Sequence, residues 1–202
     1  MSKAARRVRD RWRAKAWYSI VSPPYFGGKE IGGTPSGDPK TLVGRAIETT
    51  LYEITGDFSH QYLKLSFQVT GIDGTTASTI FKGHEYARDY LRSLVRRGST
   101  RIDGIFSATT KDGYKLQVSI VAFSLARVKS SQETAVRGIM QKIIDEKAKA
   151  LNFDQLAQEL VLGKLASDIY NEAKKIVPIR HIGVRKSRLV ASPGMGEEAT
   201  VA

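Results

Sequence analysis

Between Tyr62 and Val69 apolar and polar residues alternate without a break. Leu63, Leu65, Phe67 and Val69 fall on one side, Lys64, Ser66 and Gln68 on the other. A period of two marks a strand with one face in a core. Asp73-Gly74 then supplies a hairpin turn, and the threonine-rich stretch 75–81 reads as the return strand. Downstream, residues 102–109 and 114–123 predict a second hairpin around Lys111-Asp112-Gly113. There Tyr114, Leu116, Val118 and Ile120 alternate with Lys115, Gln117 and Ser119. A slip of one residue would bury Lys115 and Gln117, so the register is specified. Upstream, Trp17, Tyr18, Ile20 and Val21 predict a short strand ended by Pro23-Pro24, and residues 45–54 predict another, ended by Gly56-Asp57.

The period changes to that of a helix in two places. Tyr86, Tyr90, Leu91, Leu94 and Val95 form one stripe, with Glu85 and Asp89 in the first turns, Arg96 and Arg97 in the last, and Gly98 as the stop. Residues 130–177 predict three more helices. The first starts at a Ser130/Glu133 capping box and carries Val136, Ile139, Met140, Ile143, Ile144 and Leu151. The second, capped by Asp154, holds Leu156, Leu160 and Val161 up to Gly163; the third holds Leu165, Ile169, Ala173 and Ile176 and stops before Pro178. Residues 179–190 read as a last strand. The stretch 27–40, GGKEIGGTPSGDPK, is expected to be loop; it lacks the spacing of a phosphate loop. The expected class is α+β: an antiparallel β-barrel of about six or seven strands with several packed α-helices, because that many twisted strands remove their edges by closing. Residues 1–15 are expected to be a basic arm, 16–190 a single domain and 191–202 a flexible tail.

Charge changes the picture. The chain of 202 residues carries a net +12, and a compact protein this basic repels itself until a polyanion neutralises it. Nucleic acid is the first candidate and an anionic membrane surface the second. The cations fall in three groups. Arg6, Arg7, Arg9, Arg11, Arg13 and Lys15 stand in the arm. Arg88, Arg92, Arg96 and Arg97 line the short helix, followed by Arg101 and Lys111. Arg180, Arg185, Lys186 and Arg188 stand in the last strand. Guanidinium groups fork onto phosphate oxygens, so an arginine row suits RNA. Glu85–Arg88 and Asp89–Arg92 pairs on a solvated face are the other reading of that row, and the residues leave both open. Trp17, Tyr18 and Tyr114 are candidates for stacking on an unpaired base or for the core and barrel edge.

Hydrophobic residues make up 41% of the chain, enough for a core, and no apolar run approaches the ~20 residues that span a bilayer. The N-terminus lacks the apolar centre of a signal peptide, so a cytoplasmic location is expected. There is no cysteine, and His60, His84 and His181 show no metal-ligand spacing. No nucleophile elbow, zinc-protease or dinucleotide motif occurs. Asp103, Asp112 and Lys115 suggest a metal-dependent nuclease, against which Asp112 reads as a turn residue and Asp103 as a partner of Arg101 or Lys111.

Specific runs bring a resemblance into view. Lys15-Ala16-Trp17-Tyr18, Pro24, Phe26, Ile31-Gly32, Gly44-Arg45, Glu48, Leu51 and Gly83-His84-Glu85 are followed by the run RDYLRSLVRR at 88–97. Then come Lys111-Asp112-Gly113-Tyr114, Ser131-Gln132, Arg137, Pro178-Ile179-Arg180 and Arg185-Lys186. Over residues 15–188 the chain resembles the ribosomal protein S3Ae family, also called S1e, of archaea and eukaryotes. It departs at Gly33, where the family usually has a charged residue, and it lacks the long C-terminal extension of eukaryotic members, which gives it an archaeal look. The resemblance implies a non-enzymatic constituent of the small ribosomal subunit. It implies a seat on 16S rRNA at the platform, near the 3′ end and the mRNA exit, beside ribosomal protein S11, with no cofactor, membrane or small-molecule substrate. A free-standing RNA chaperone is the alternative, and the nuclease a remoter one.

Overall fold

The structure is a computed structural model and describes Trp12 and residues 15–193. Among the described residues eight strands form one sheet. They are β1 (Ala16–Val21), β2 (Glu30–Ser36), β3 (Ala46–Thr50), β4 (Leu63–Asp73), β5 (Thr76–Tyr86), β6 (Arg101–Thr109), β7 (Lys115–Ser124) and β8 (Ile179–Ala191). Five α-helices accompany them: α1 (Leu51–Thr55), α2 (Arg88–Leu94), α3 (Ser130–Ala150), α4 (Phe153–Leu162) and α5 (Lys164–Ala173). The α+β class and both predicted hairpins hold. The alternating residues Leu63, Leu65, Phe67 and Val69 are buried, as are Leu116, Val118 and Ile120. Gly74 and Gly113 take the positive φ that their turns need.

β5 is the hub. One of its edges pairs with β4 along the whole hairpin. Its other edge is divided: Thr76–Ser78 run parallel to Ser19–Val21 of β1, and Gly83–Glu85 run antiparallel to Lys186–Arg188 of β8. The sheet therefore has two leaves sharing β5, one of β3-β4-β5-β1-β2 and one of β5-β8-β7-β6. The strands curl in a barrel-like manner without a closing ladder. Arg45, just before β3, donates from Nη1 to Thr34 Oγ1 of β2 at 2.6 Å. Ile20, Val69 and Ala77 form a small core in the first leaf, and the main core gathers the second leaf, helices α3–α5, and Leu51, Ile54, Leu63, Leu65 and Phe67 of the first leaf and α1.

Two features fix the seam between the leaves. A Cβ on Gly83 would land on the carbonyl of Ser187, so only glycine lets β5 and β8 approach this closely. The next residue, His84, is 2% exposed. Its Nε2 lies 3.1 Å from the Val184 carbonyl and its Nδ1 lies 2.7 Å from Ser187 Oγ. A carbonyl only accepts, so Nε2 carries the proton and Nδ1 accepts from the Ser187 hydroxyl. The ring is thus satisfied as the neutral form, and burial depresses its pKa from 6.5 to about 4.

The helices close the other side. Val136, Met140, Ile144 and Ala148 of α3 are buried, as are Phe153, Leu156, Leu160, Leu165 and Ile169 of α4 and α5. Lys147 of α3 reaches Glu159 of α4 at 2.8 Å and Asp168 of α5 at 2.9 Å, tying three helices by one ammonium. These bonds raise its pKa, so the network stays charged at neutral pH.

Several expectations shift. Residues 45–54 are a strand only to Thr50, where the chain turns into α1. Leu51 and Ile54 are buried three apart, on one face of the helical turn, and the Thr49 hydroxyl donates to Glu53 across the junction. Part of the expected loop 27–40 is strand β2, because β1 supplies a ladder from Ala16–Ser36 to Ile20–Gly32 and Pro35 can stand on an edge. The α3 box lies one residue earlier than Ser130: Gln132 Oε1 accepts from the Lys129 N–H at 3.2 Å. Asp154 sits in the first turn of α4, whose N-cap is Asn152. α2 is shorter than expected at both ends. Tyr86 finishes β5, and the helix stops at Leu94 because Val95 turns extended and Arg180 donates to the Leu94 carbonyl. Tyr90 holds α2 in place, stacked on Tyr62 with ring centroids 3.9 Å apart and edge-on to Tyr86.

Candidate nucleic-acid interface

Three connections meet at one end of the second leaf: residues 95–100 from α2 to β6, 125–129 from β7 to α3, and 174–178 from α5 to β8. Hydrogen bonds stitch them together. Thr100 donates its N–H to Ser124 Oγ at 2.8 Å, and Ser124 returns its own N–H to the Thr100 carbonyl at 3.0 Å. Val128 N–H donates to Thr100 Oγ1 at 3.1 Å, and Leu125 N–H donates to the Pro178 carbonyl at 3.0 Å. Each loop thus completes the backbone pairing of another, which holds the side chains they carry at fixed spacing.

Those side chains are six exposed cations, Arg96, Arg97, Arg127, Lys129, Lys174 and Lys175, and the three stretches hold no carboxylate. Lys175 pairs with Glu172 at 2.7 Å. Among the described residues Arg96, Arg97, Arg127, Lys129 and Lys174 make no ion pair. Arg92 adds a further exposed cation from the last turn of α2. His181 stays neutral beside them, since burial and the neighbouring Arg180 both lower its pKa. An arrangement of unpaired, like-charged heads on stitched loops is self-repelling in isolation and is relieved by phosphates.

The residues singled out from the sequence divide by what holds them. Arg88 and Arg92 share α2, but Arg96 lies beyond it, so the row of three is a row of two. Arg97 joins Arg96 in the loop end. Arg101 is paired with Asp103 at 2.9 Å and Lys186 with Glu85 at 2.8 Å, across β5 and β8. Arg180 closes α2, and Arg185 is half-buried with its Nε unpartnered. Arg188 is exposed on β8, opposite Gly83 and Gln117. Lys111 sits at the far end of the β6–β7 hairpin, roughly 30 Å from the loop end at ~3.4 Å per strand residue. Lys15 lies with its Nζ 4.4 Å from the Trp12 ring centroid. Tyr18 is buried and faces the small core side of β1, so it is not placed to stack on a base; Trp17 is 65% exposed. Tyr114 stacks on Phe153 at 4.4 Å. Arg6, Arg7, Arg9, Arg11, Arg13 and the tail beyond residue 193 lie outside the described residues. Periodicity missed Arg127, Lys129, Lys174 and Lys175, which stand between elements; the absence of any carboxylate within 95–100, 125–129 and 174–178 was the available signal.

The carboxylates of the nuclease reading have structural work. Asp103 holds Arg101, and Asp112 Oδ2 accepts the Phe153 N–H at 3.0 Å, capping the start of α4. No group of three potential metal ligands occurs among the described residues.

A model of the ribosomal S3Ae family matches residues 3–193. This chain belongs to that family. The small ribosomal subunit protein eS1 of Desulfurococcus amylolyticus is 50% identical over 186 residues, covering 92% of this chain and 87% of the relative. The protein of the same name from Archaeoglobus fulgidus is 48% identical over 197 residues, covering 96% and 93%. That of Methanothermobacter thermautotrophicus is 47% identical over 194 residues, covering 96% of this chain and all of its own length. As an S3Ae protein the chain is a structural component of the ribosome and not an enzyme.

Proposed function

We propose that this chain, a component of the small ribosomal subunit, binds 16S rRNA through the loop end of Arg92, Arg96, Arg97, Arg127, Lys129 and Lys174. The single observation that carries the reading is five cations without ion pairs among the described residues, on three loops free of carboxylates and joined in series by hydrogen bonds. The seat implied by the family resemblance is the platform near the 3′ end of 16S rRNA and the mRNA exit, with ribosomal protein S11 as neighbour and mRNA passing close by. The relatives' shared name supports the subunit, and the charge of the loop end supports the contact with its RNA. The work is binding: counterions leave the phosphates, and a fixed protein surface holds local rRNA geometry.

Replacing Arg96, Arg97 and Arg127 together with alanine is expected to lower affinity for a 16S rRNA platform fragment by at least about tenfold at physiological salt. The slope of log affinity against log salt should flatten by about 2 to 3, at ~0.7–0.9 per phosphate contact. All three side chains are exposed, so the fold should survive, as circular dichroism will show. A folded variant with the wild-type salt slope overturns the reading.

A further inference from the structure

We propose that Trp17 is a stacking platform for an unpaired base, making the root of the basic arm a single-stranded RNA site distinct from the loop end. The inference deepens the RNA-binding reading and rests on it. β1 alternates, with Tyr18 and Ile20 turned inward and Trp17 outward. The indole is not loosely placed. A Cβ on Gly33 would stand 3.3 Å from its Cε3 and 3.8 Å from its Cζ3, so the six-membered ring of the indole rests against β2 where glycine leaves room for it. Its register partner, Pro35, flanks it. With 65% of the residue exposed, most of the indole is turned to solvent. An exposed aromatic ring held against a strand offers a surface on which a base can stack, and ordering it costs little rotamer entropy on binding.

The surroundings choose the occupant. Trp17 follows directly on a stretch, residues 1–15, with seven cations and one carboxylate. Lys15, two residues before it, lies over the ring of Trp12, so aromatic and cationic groups alternate along Trp12, Lys15 and Trp17. Such interleaving matches the alternation of base and phosphate along a single strand. In a duplex the bases are already stacked on one another and offer no free face. A protein partner would gain from the indole but would have to neutralise the arm separately.

The test uses the full chain carrying Trp12→Phe, which leaves Trp17 as the one indole. It is titrated with a short oligouridylate and with an RNA duplex of the same length. Single-stranded RNA should quench Trp17 fluorescence and the duplex should not. Trp17→Ala should weaken single-strand binding roughly tenfold to a hundredfold, with duplex binding and the salt slope unchanged because no charge is removed. Trp17→Phe should keep most of the affinity. Absence of quenching, wild-type affinity in Trp17→Ala, or an equal loss on duplex overturns the proposal. If Trp17→Ala is silent while the Arg96, Arg97 and Arg127 variant loses rRNA, the stacking site alone fails. If the arginine variant is silent, the loop-end reading fails.

Discussion

Gly83→Ala is expected to destabilise the protein by more than about 3 kcal/mol and to lower its melting temperature by roughly 10 °C. The cause is a backbone collision. The added carbon would occupy the position of the Ser187 carbonyl, with the Arg188 Cα also close. Neither is the far end of a flexible side chain, so one strand must leave the other. The pairs at risk are Gly83–Arg188, His84–Ser187 and Glu85–Lys186, the whole ladder between the two leaves. Gly138→Ala is the matched control. That glycine is exposed within α3, and a Cβ there meets nothing within 4 Å. The same substitution should stabilise by about 0.5–1 kcal/mol, through helix propensity. Thermal melts of both variants decide the matter: a Gly83→Ala protein melting within a few degrees of wild type would show that β5 and β8 do not approach so closely.

Acid should act on the same seam. His84 titrates near 6.5 when unfolded and near 4 when folded, because burial opposes its charge. Between those values the unfolded chain binds the proton and the native one does not, so stability falls as the pH drops. The contribution is fully present above pH 6.5 and is lost progressively down to about pH 4, a loss of about 3 kcal/mol. His181, also lowered, acts in the same direction more weakly, and carboxylates take over at lower pH. Comparison with His84→Gln isolates the group, since glutamine can donate to the Val184 carbonyl and accept from Ser187 without titrating. Urea midpoints measured from pH 7 to pH 4 should decline less steeply in His84→Gln than in wild type. Identical slopes in the two proteins would refute the assignment.

Strands with a strict period were legible from the residues because their two faces meet different surroundings: Leu63 to Val69 and Leu116 to Ile120 bury one face and wet the other. β2 was not legible, since glycine and proline advertise a loop and only the neighbour β1 makes a strand of it. α1 was hidden because Tyr52 and Ile54, two apart, continue the alternation of a strand, whereas the buried pair is Leu51 and Ile54. The early stop of α2 depends on Arg180, a residue 86 positions away from the carbonyl it closes. The site followed the same rule. Arg96 and Arg97 were visible as charges on a predicted element. Arg127, Lys129, Lys174 and Lys175 become one surface with them only through loops that the sequence keeps far apart.

The dependence of the loop end on β8 has a consequence for the birth of the protein. Two of the contacts that assemble it, Leu125 with Pro178 and Arg180 with Leu94, draw on residues translated well after their partners. Arg96 and Arg97 emerge early, yet the surface to which they belong does not exist until β8 has threaded between β5 and β7. A nascent or truncated chain carries the charge but not the spacing, and so holds RNA only in the weak, indiscriminate way of any polycation. Tight engagement becomes a certificate that β8 is seated, and a growing subunit that selects on it admits only copies in which that strand has joined the sheet.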